Sequence, residues 1–373
     1  MKKILIIFGT RPEAIKMAPL FKEFKKHSNI FETKICVTAQ HREMLDQVLD
    51  FFNLKPDFDL DIMKPGQNLY SLTSEIIKSL QSVLENYVPD YVFVHGDTTT
   101  TMASAIASFY SFAKVCHVEA GLRTNNKLSP FPEEINRQIT TRVCDYHFAP
   151  TSTSKENLLK ENIKEENILV TGNTVIDALL ESVEKVNKKP SILVKNLSKI
   201  IQDKELILVT GHRRENHGSG IIRICEALKD IAMDDINRII IYPVHLNPNI
   251  QEPVNRILDD INNIILIDPL AYQDFIWLMN RAKIIITDSG GIQEEAPSLG
   301  KPVLLMRSTT ERPEAVNVGT VILVGTDKDL IVKEALNLLN NTTHYEQMSK
   351  LYNPYGDGKA SERIVNFINH LNK

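Results

Sequence analysis

Short apolar runs alternate with longer amphipathic stretches along most of this 373-residue chain. Residues 3–8 (KILIIF) form an unbroken apolar run, as expected of a strand covered on both faces. Similar runs recur at 34–38 (KICVT), 91–95 (YVFVH), 114–118 (KVCHV), 146–150 (YHFAP) and 167–173 (NILVTGN). Between them EAIKMAPLFKEFKKH, HREMLDQVLDFF, SLTSEIIKSLQSVLENY, 98–112, the segment from Glu133 and TSKENLLKEN carry helical spacing. DLDIMKPGQNL reads as a loop. A helix over 173–190 ends at Pro190 and leads to a second set. Its strands are 205–210, 238–245, 264–268, 283–288, 302–306 and 320–324. Its helices are 220–231, YQDFIWLMNRA with Trp277 and Leu278 on the apolar face, 327–340, 343–352 and the amphipathic ASERIVNFINHL. Such alternation predicts an α/β fold of two Rossmann-like halves, each a parallel sheet with helices on both faces. In such sheets ligands bind beyond the carboxyl ends of the strands.

Composition narrows the class. Hydrophobic residues are 43%, charged residues 24% and the net charge is -4, which suits a globular protein and argues against general nucleic-acid or membrane attraction. A local basic pocket for an anion remains compatible with it. No apolar run approaches the ~20 residues of a membrane span. The start MKKILIIFGTRPE has too short an apolar run for a signal peptide, so a cytoplasmic location is expected. Cys36, Cys116, Cys144 and Cys225 form no CxxC pair; the first three lie in or beside apolar runs and read as buried free thiols. No His or Cys sits at zinc spacing, so no metal site is expected.

The unusual polar residues sit at strand ends. Gly9-Thr10-Arg11-Pro12-Glu13 leads to Lys16, where Arg11 and Lys16 could hold an anion or simply be exposed. His95-Gly96-Asp97 precedes four threonines; Asp97 could be a helix N-cap or a proton carrier. The stretch 117–140 carries Glu119, Arg123, Glu133, Glu134 and Arg137, with Glu133 and Arg137 spaced to share a helix face. Alone it fits an acid/base cluster and a solvated ion pair equally. Gly211-His212-Arg213-Arg214-Glu215-Asn216 is either an anion clamp with a proton donor or an exposed loop. Asp288-Ser289-Gly290-Gly291-Ile292-Gln293-Glu294-Glu295 is the strongest local signal: bare amides after a strand cradle phosphate, and Glu295 could accept from ribose hydroxyls. Together they suggest a nucleotide diphosphate held by the second half, its reacting end toward Asp97, Glu119 and Glu133.

FGTRPEAIKMAPL, VHGDTTTT, HVEAGLRT, PFPEEINRQ, VTGNTVIDAL, TGHRREN and TDSGGIQEEAPSLGKPVL, in this order, resemble the non-hydrolysing UDP-N-acetylglucosamine 2-epimerases of bacteria. The resemblance implies a glycosyltransferase-B-like arrangement with the active site in the cleft between two Rossmann-like domains. The expected domains are 1–170 joined by a returning helix at 355–373, and 171–354. It implies exchange of UDP-GlcNAc and UDP-ManNAc by elimination of UDP to 2-acetamidoglucal and re-addition, for surface polysaccharide precursors, with no cofactor. By position it implies Asp97, Glu119 and Glu133 as acid/base groups and His212 as helper of UDP departure. It implies Arg11, Lys16, Phe275, Ser289, Gly290, Gly291, Glu295 and Arg312 as nucleotide contacts, and Arg137 as the group orienting Glu133 and the sugar. A homodimer through first-domain helices is implied. So is an activating second UDP-GlcNAc near Gln40, Gln47, Glu134 and His245, with weaker activation because Gly66 stands where some members carry arginine. The competing readings are a hydrolysing epimerase releasing ManNAc, an epimerase of a related UDP-diacetamido sugar, a GT-B glycosyltransferase, and an inactive UDP-sugar-binding protein.

Overall fold

The computed structural model describes residues 1–39, 42–63 and 66–371, apart from the Glu43 side chain. The chain divides into two compact units, Met1–Ala178 with Tyr355–Lys373, and Leu179–Pro354.

The first unit holds β1 (Lys2–Phe8), α1 (Arg11–Lys26), β2 (Phe31–Val37), α2 (Arg42–Phe52), β3 (Phe58–Asp59), α3 (Leu69–Tyr87), β4 (Tyr91–His95), α4 (Thr99–Tyr110), β5 (Lys114–Val118), α5 (Glu133–Val143), β6 (Tyr146–Ala149), α6 (Ser152–Lys160) and β7 (Ile168–Val170). The seven strands among its described residues are all parallel, in the order β3-β2-β1-β4-β5-β6-β7. Ile4 to Phe8 are essentially inaccessible, which explains the unbroken apolar run of β1.

Next comes α7 (Thr174–Lys188), then α8 (Ile192–Ile201), β8 (Glu205–Thr210), α9 (Ser219–Asp234), β9 (Arg238–Pro243), α10 (Pro248–Leu258), β10 (Ile264–Ile267), α11 (Tyr272–Arg281), β11 (Ile284–Thr287), α12 (Gly290–Glu295), β12 (Val303–Leu305), α13 (Pro313–Val318), β13 (Val321–Leu323), α14 (Lys328–Asn340), α15 (Thr342–Ser349) and α16 (Ala360–Leu371). The second sheet is also parallel, in the order β10-β9-β8-β11-β12-β13. Its core is almost wholly aliphatic, with Ile207, Val209, Ile240, Ile286 and Leu304 inaccessible.

Both sheets reverse direction of winding at one point, between β1 and β4 in the first and between β8 and β11 in the second. Adjacent crossovers there leave on opposite faces, so the loops beyond the strand ends open a crevice for a ligand. The loops after these four strands carry most of the polar motifs.

The division falls inside α7 rather than at residue 170. Asp177 explains this: its carboxylate accepts from the Ala360 and Ser361 amides at 3.2 and 2.8 Å, capping α16. Phe367 of α16 then lies edge-on to Tyr146 and Phe148, with ring centroids 5.6 and 5.7 Å apart. The Asn173 amide donates to the Tyr355 carbonyl at 2.6 Å. Beside it Gly172 and Gly356 meet so closely that a Cβ on Gly172 would stand 3.2 Å from the Gly356 Cα.

Candidate active site

In the first unit the two loops at the reversal point are tied together by Glu13. Its carboxylate accepts from the amides of Gly9 and Thr10 at 3.1 and 2.8 Å, and from the hydroxyls of Thr98 and Thr101 at 2.7 and 3.1 Å. Glu13 therefore holds the β1 and β4 loops at one spacing. Gly9 is packed beneath them: a Cβ there would stand 2.0 Å from Thr38 Oγ1.

Asp97 is not the cap of α4. Thr98 takes that place, accepting from the Thr101 amide at 3.1 Å. The Asp97 carboxylate instead meets Arg137 Nη2 at 2.5 Å. Asn136 Nδ2 donates to the Asp97 carbonyl at 2.9 Å, so α5 fixes both the backbone and the side chain. Arg137 also donates to Glu134 at 3.1 Å, while Glu133 Oε2 is buried and makes no hydrogen bond. The expectation that Arg137 orients Glu133 is thus corrected. The guanidinium crosses to Asp97, where a carboxylate at a strand end offers a closer partner than the helix neighbour one turn away.

Glu119 follows β5 with φ 64°, a left-handed backbone that costs a non-glycine residue roughly 1–2 kcal/mol. Such strain clusters at functional sites. Its buried carboxylate forms an ion pair with Lys16 and accepts from Asn173 Nδ2 at 2.8 Å. His95 Nε2 stands 3.6 Å away, a neighbour rather than a hydrogen-bond donor. Burial pushes the Glu119 carboxyl up, but Lys16 and His95 outweigh it and hold the group well below its ordinary range. In this state Lys16 serves Glu119. Arg11, the first residue of α1, is half-buried.

Two other residues resolve differently. Arg123 donates to both oxygens of Glu161 at 2.5 and 3.0 Å and to Thr141 at 2.8 Å, so it pins the loop after β5 to α5 and α6. Glu134 is fully buried and accepts from the amides of Thr124 and Asn125, from Arg137 and from Gln138. A direct activator contact would require breaking those bonds, so its visible work is shaping the loop. Gln47 is exposed on α2, and Gln40 lies outside the described residues.

Behind the site, His117 Nε2 donates to the Gly96 carbonyl at 2.7 Å, and His147 lies beside it on β6. Burial pushes His117 down to about 3 and His147 down to about 4. Both are neutral in the fold and take up protons in the unfolded chain near 6.5. Their stabilisation is complete above pH 6.5 and is lost as pH falls toward 4, at up to about 1.4 kcal/mol per pH unit for each. The melting temperature of the first unit should therefore drop between pH 7 and 5, less steeply in His147→Asn. Equal slopes in the two proteins would reject this assignment.

In the second unit the loop after β8 is anchored by Asp288 at the end of β11. The His212 amide donates to its Oδ2 at 2.9 Å, the Arg213 amide at 2.9 Å and Asn216 Nδ2 at 3.1 Å. His212 Nδ1 lies 3.3 Å from Oδ1. His245, at the end of β9, stacks on His212 with ring centroids 6.0 Å apart and planes inclined by 23°. The turn Ser289-Gly290-Gly291 starts α12. Arg312 lies directly over Gly290: a Cβ there would stand 2.6 Å from Nη1. Glu294 and Glu311 hold that guanidinium at 2.5 and 2.9 Å. Only glycine lets a cation come so near the bare amides, a pairing suited to phosphate oxygens. Glu295 ends α12 beside Gly291, and Phe275 is half-buried on α11. Glu13, Asn173 and Asp288 lie inside the motifs read from the sequence, but nothing in the sequence showed the anchoring role each plays here. Among the described residues no cluster of His, Cys, Asp and Glu is arranged to hold a metal, and no helix is long and apolar enough to cross a membrane.

Paired Rossmann-like units, one bearing anchored carboxylates and the other a histidine–aspartate pair beside an arginine-covered amide turn, define an enzyme of the glycosyltransferase-B-like class. The family described as UDP-N-acetylglucosamine 2-epimerase matches residues 22–369. The UDP-N-acetylglucosamine 2-epimerase of Escherichia coli K12 is 58% identical over 366 residues, 97% of each chain. The crystal structure of UDP-GlcNAc 2-epimerase from Neisseria meningitidis bound to UDP-GlcNAc is 51% identical, with a TM-score of 0.88 over 99% of this chain and 100% of that one. The chain belongs to the UDP-N-acetylglucosamine 2-epimerase family, whose members are isomerases.

Proposed function

We propose that the chain interconverts UDP-N-acetylglucosamine and UDP-N-acetylmannosamine by reversible elimination of UDP, supplying precursors for bacterial surface polysaccharide. The C2 proton is not acidic enough to leave alone. Its removal is coupled to cleavage of the C1–O bond, whose electron pair leaves with UDP. The product is 2-acetamidoglucal; re-addition of UDP at C1 with protonation on the other face at C2 gives the epimer. This needs one base, one acid on the opposite face, and a group that helps UDP leave. The observation that carries the reading is that the three carboxylates sit in three different settings. Asp97 is held by Arg137, Glu119 by Lys16 and Asn173, and Glu133 has an oxygen with no partner. Two-base chemistry needs separate groups for the two faces of the sugar, and three carboxylates in different settings can supply them. His212, with Nδ1 at Asp288, suits proton donation to departing UDP, and Arg312 with the Ser289–Gly291 turn suits its phosphates.

The test is NMR in D2O starting from UDP-GlcNAc. Deuterium at C2 of a UDP-ManNAc product is expected. Free ManNAc would mean a hydrolysing enzyme, and no exchange with no product would end the reading. A cytoplasmic homodimer belongs to the same proposal. Exposed Tyr70, Phe109, Tyr110 and Phe112 on and beside α3 and α4 support a covered helical face. Sedimentation velocity, and initial rates from pure UDP-ManNAc with and without trace UDP-GlcNAc, test the dimer and the activator separately from the chemistry.

A further inference from the structure

We propose that Asp288 is a positioning residue for His212, engaging Nδ1–H so that Nε2 is the nitrogen that delivers a proton to the departing UDP oxygen. This rests on the role given to His212 above. Three observations carry it. First, the carboxylate grips the histidine from both ends, taking its backbone amide at 2.9 Å and facing its Nδ1 at 3.3 Å. Second, the grip cannot slide. The Arg213 amide and Asn216 Nδ2 bond the same carboxylate oxygen, and Asn216 also donates to the Met306 carbonyl at 3.1 Å. Gly211 is wedged below, where a Cβ would stand 3.0 Å from the Tyr242 hydroxyl and 3.7 Å from Asp288 Oδ2. Third, Asp288 is inaccessible while the His212 side chain is 44% exposed, so the anchor is buried and the ring it orients is open to a ligand. Burial pushes the Asp288 carboxyl up, but His212 and the Arg213 amide outweigh it, leaving the group ionised.

The proton balance is simple. In the forward direction imidazolium Nε2–H passes its proton to the UDP oxygen that receives the C1–O electron pair. The ring is left neutral with Nδ1–H on Asp288. Re-addition returns the proton to Nε2. The ring faces Asp288, just beyond β11, and His245, just beyond β9, with Arg213 next on its own loop.

The experiment joins three measurements. Nitrogen NMR of the unmodified protein above the His212 transition should find the Nδ1–H tautomer; an Nε2–H tautomer would overturn the proposal. Asp288→Asn should lower kcat roughly 10²- to 10⁴-fold, the range for losing acid/base function. It should leave UDP affinity near its original value. The amide cannot favour imidazolium, so the loss of activity on raising pH should start at lower pH. In a His212→Gln background the same change should cost almost nothing, since residues acting as one unit are not additive. Equal losses in both backgrounds, with an unmoved pH profile, would make Asp288 a structural anchor only. Full activity of His212→Gln itself would instead refute the role of His212, a different failure. Should Asp288→Asn fail to fold, the tautomer measurement alone decides.

Discussion

Glu119→Gln lowers kcat roughly 10²- to 10⁴-fold while UDP still binds, the size expected for loss of one acid/base group. The argument starts from the ion pair. Lys16 and Asn173 hold the Glu119 carboxylate, and its shifted proton affinity comes mainly from burial opposed by Lys16. Glutamine keeps the shape and one acceptor oxygen but carries neither the charge nor a removable proton. It also leaves the Lys16 ammonium without its counter-charge in a buried place, so some loss of stability accompanies the loss of rate. Asp97→Asn should behave similarly in kcat, removing the charge opposite Arg137 while Glu134 still pairs with that guanidinium. The pair is distinguished by exchange at C2. A variant that still washes deuterium into substrate but yields no epimer has lost the group on the product face. One that does neither has lost the group that starts the reaction. Loss of UDP affinity equal to the loss of rate would mean that these carboxylates bind ligand rather than move protons.

Gly121→Ala destabilises the first unit by about 2–6 kcal/mol, summing a left-handed backbone penalty of about 1–3 with an overpacking cost of about 1–3. Gly121 has φ 93°, and a Cβ there would stand 2.2 Å from the Ser154 carbonyl oxygen, a backbone atom with no rotamer to retreat to. Asn157 Nδ2 donates to the Gly121 carbonyl at 3.0 Å, so moving the loop away would also break that bond. At about 2–4 °C per kcal/mol for a unit of this size, the melting temperature should fall by roughly 4–24 °C. Calorimetry should find the fall in the transition of the first unit. A melting temperature within two degrees of the parent would show that the loop relaxes freely. The same loop carries Glu119 two residues earlier, so activity should fall further than the folded fraction.

The sheet was largely readable because the strands of a doubly covered parallel sheet are apolar without interruption. Departures from that pattern mark the errors. β2 begins at Phe31, earlier than the apolar run at 34–38, because Phe31 and Thr33 face inward while Glu32 and Lys34 are only half-buried. α8 is hard to read from the sequence because ILVKNLSKII mixes strand-like residues with helical spacing; it buries Val194, Leu197 and Ile201. α10 was obscured by Pro253 inside it, although Pro248 and the Asn247 cap begin it well. The polar motifs pointed to the right loops, but their internal wiring was hidden. Arg137 reaches Asp97 across 40 positions, Lys16 reaches Glu119 across 103, and His212 reaches Asp288 across 76. Spacing rules speak to neighbours one helical turn apart, and here the decisive partners were brought together by strand order.

The docking of α16 has a consequence for the order in which the protein can be made. The bond from the Ser361 amide to Asp177 joins residues 184 positions apart. Everything between Leu179 and Pro354 belongs to the other unit. A ribosome therefore exports the whole second unit before it delivers the segment that covers Phe148 and receives the Asn173 amide. Although its strands are translated first, the N-terminal unit is completed only after the second unit has been made, when Asn173 gains its Tyr355 partner. Until then the nascent chain carries an uncovered aromatic face that must be kept from other chains.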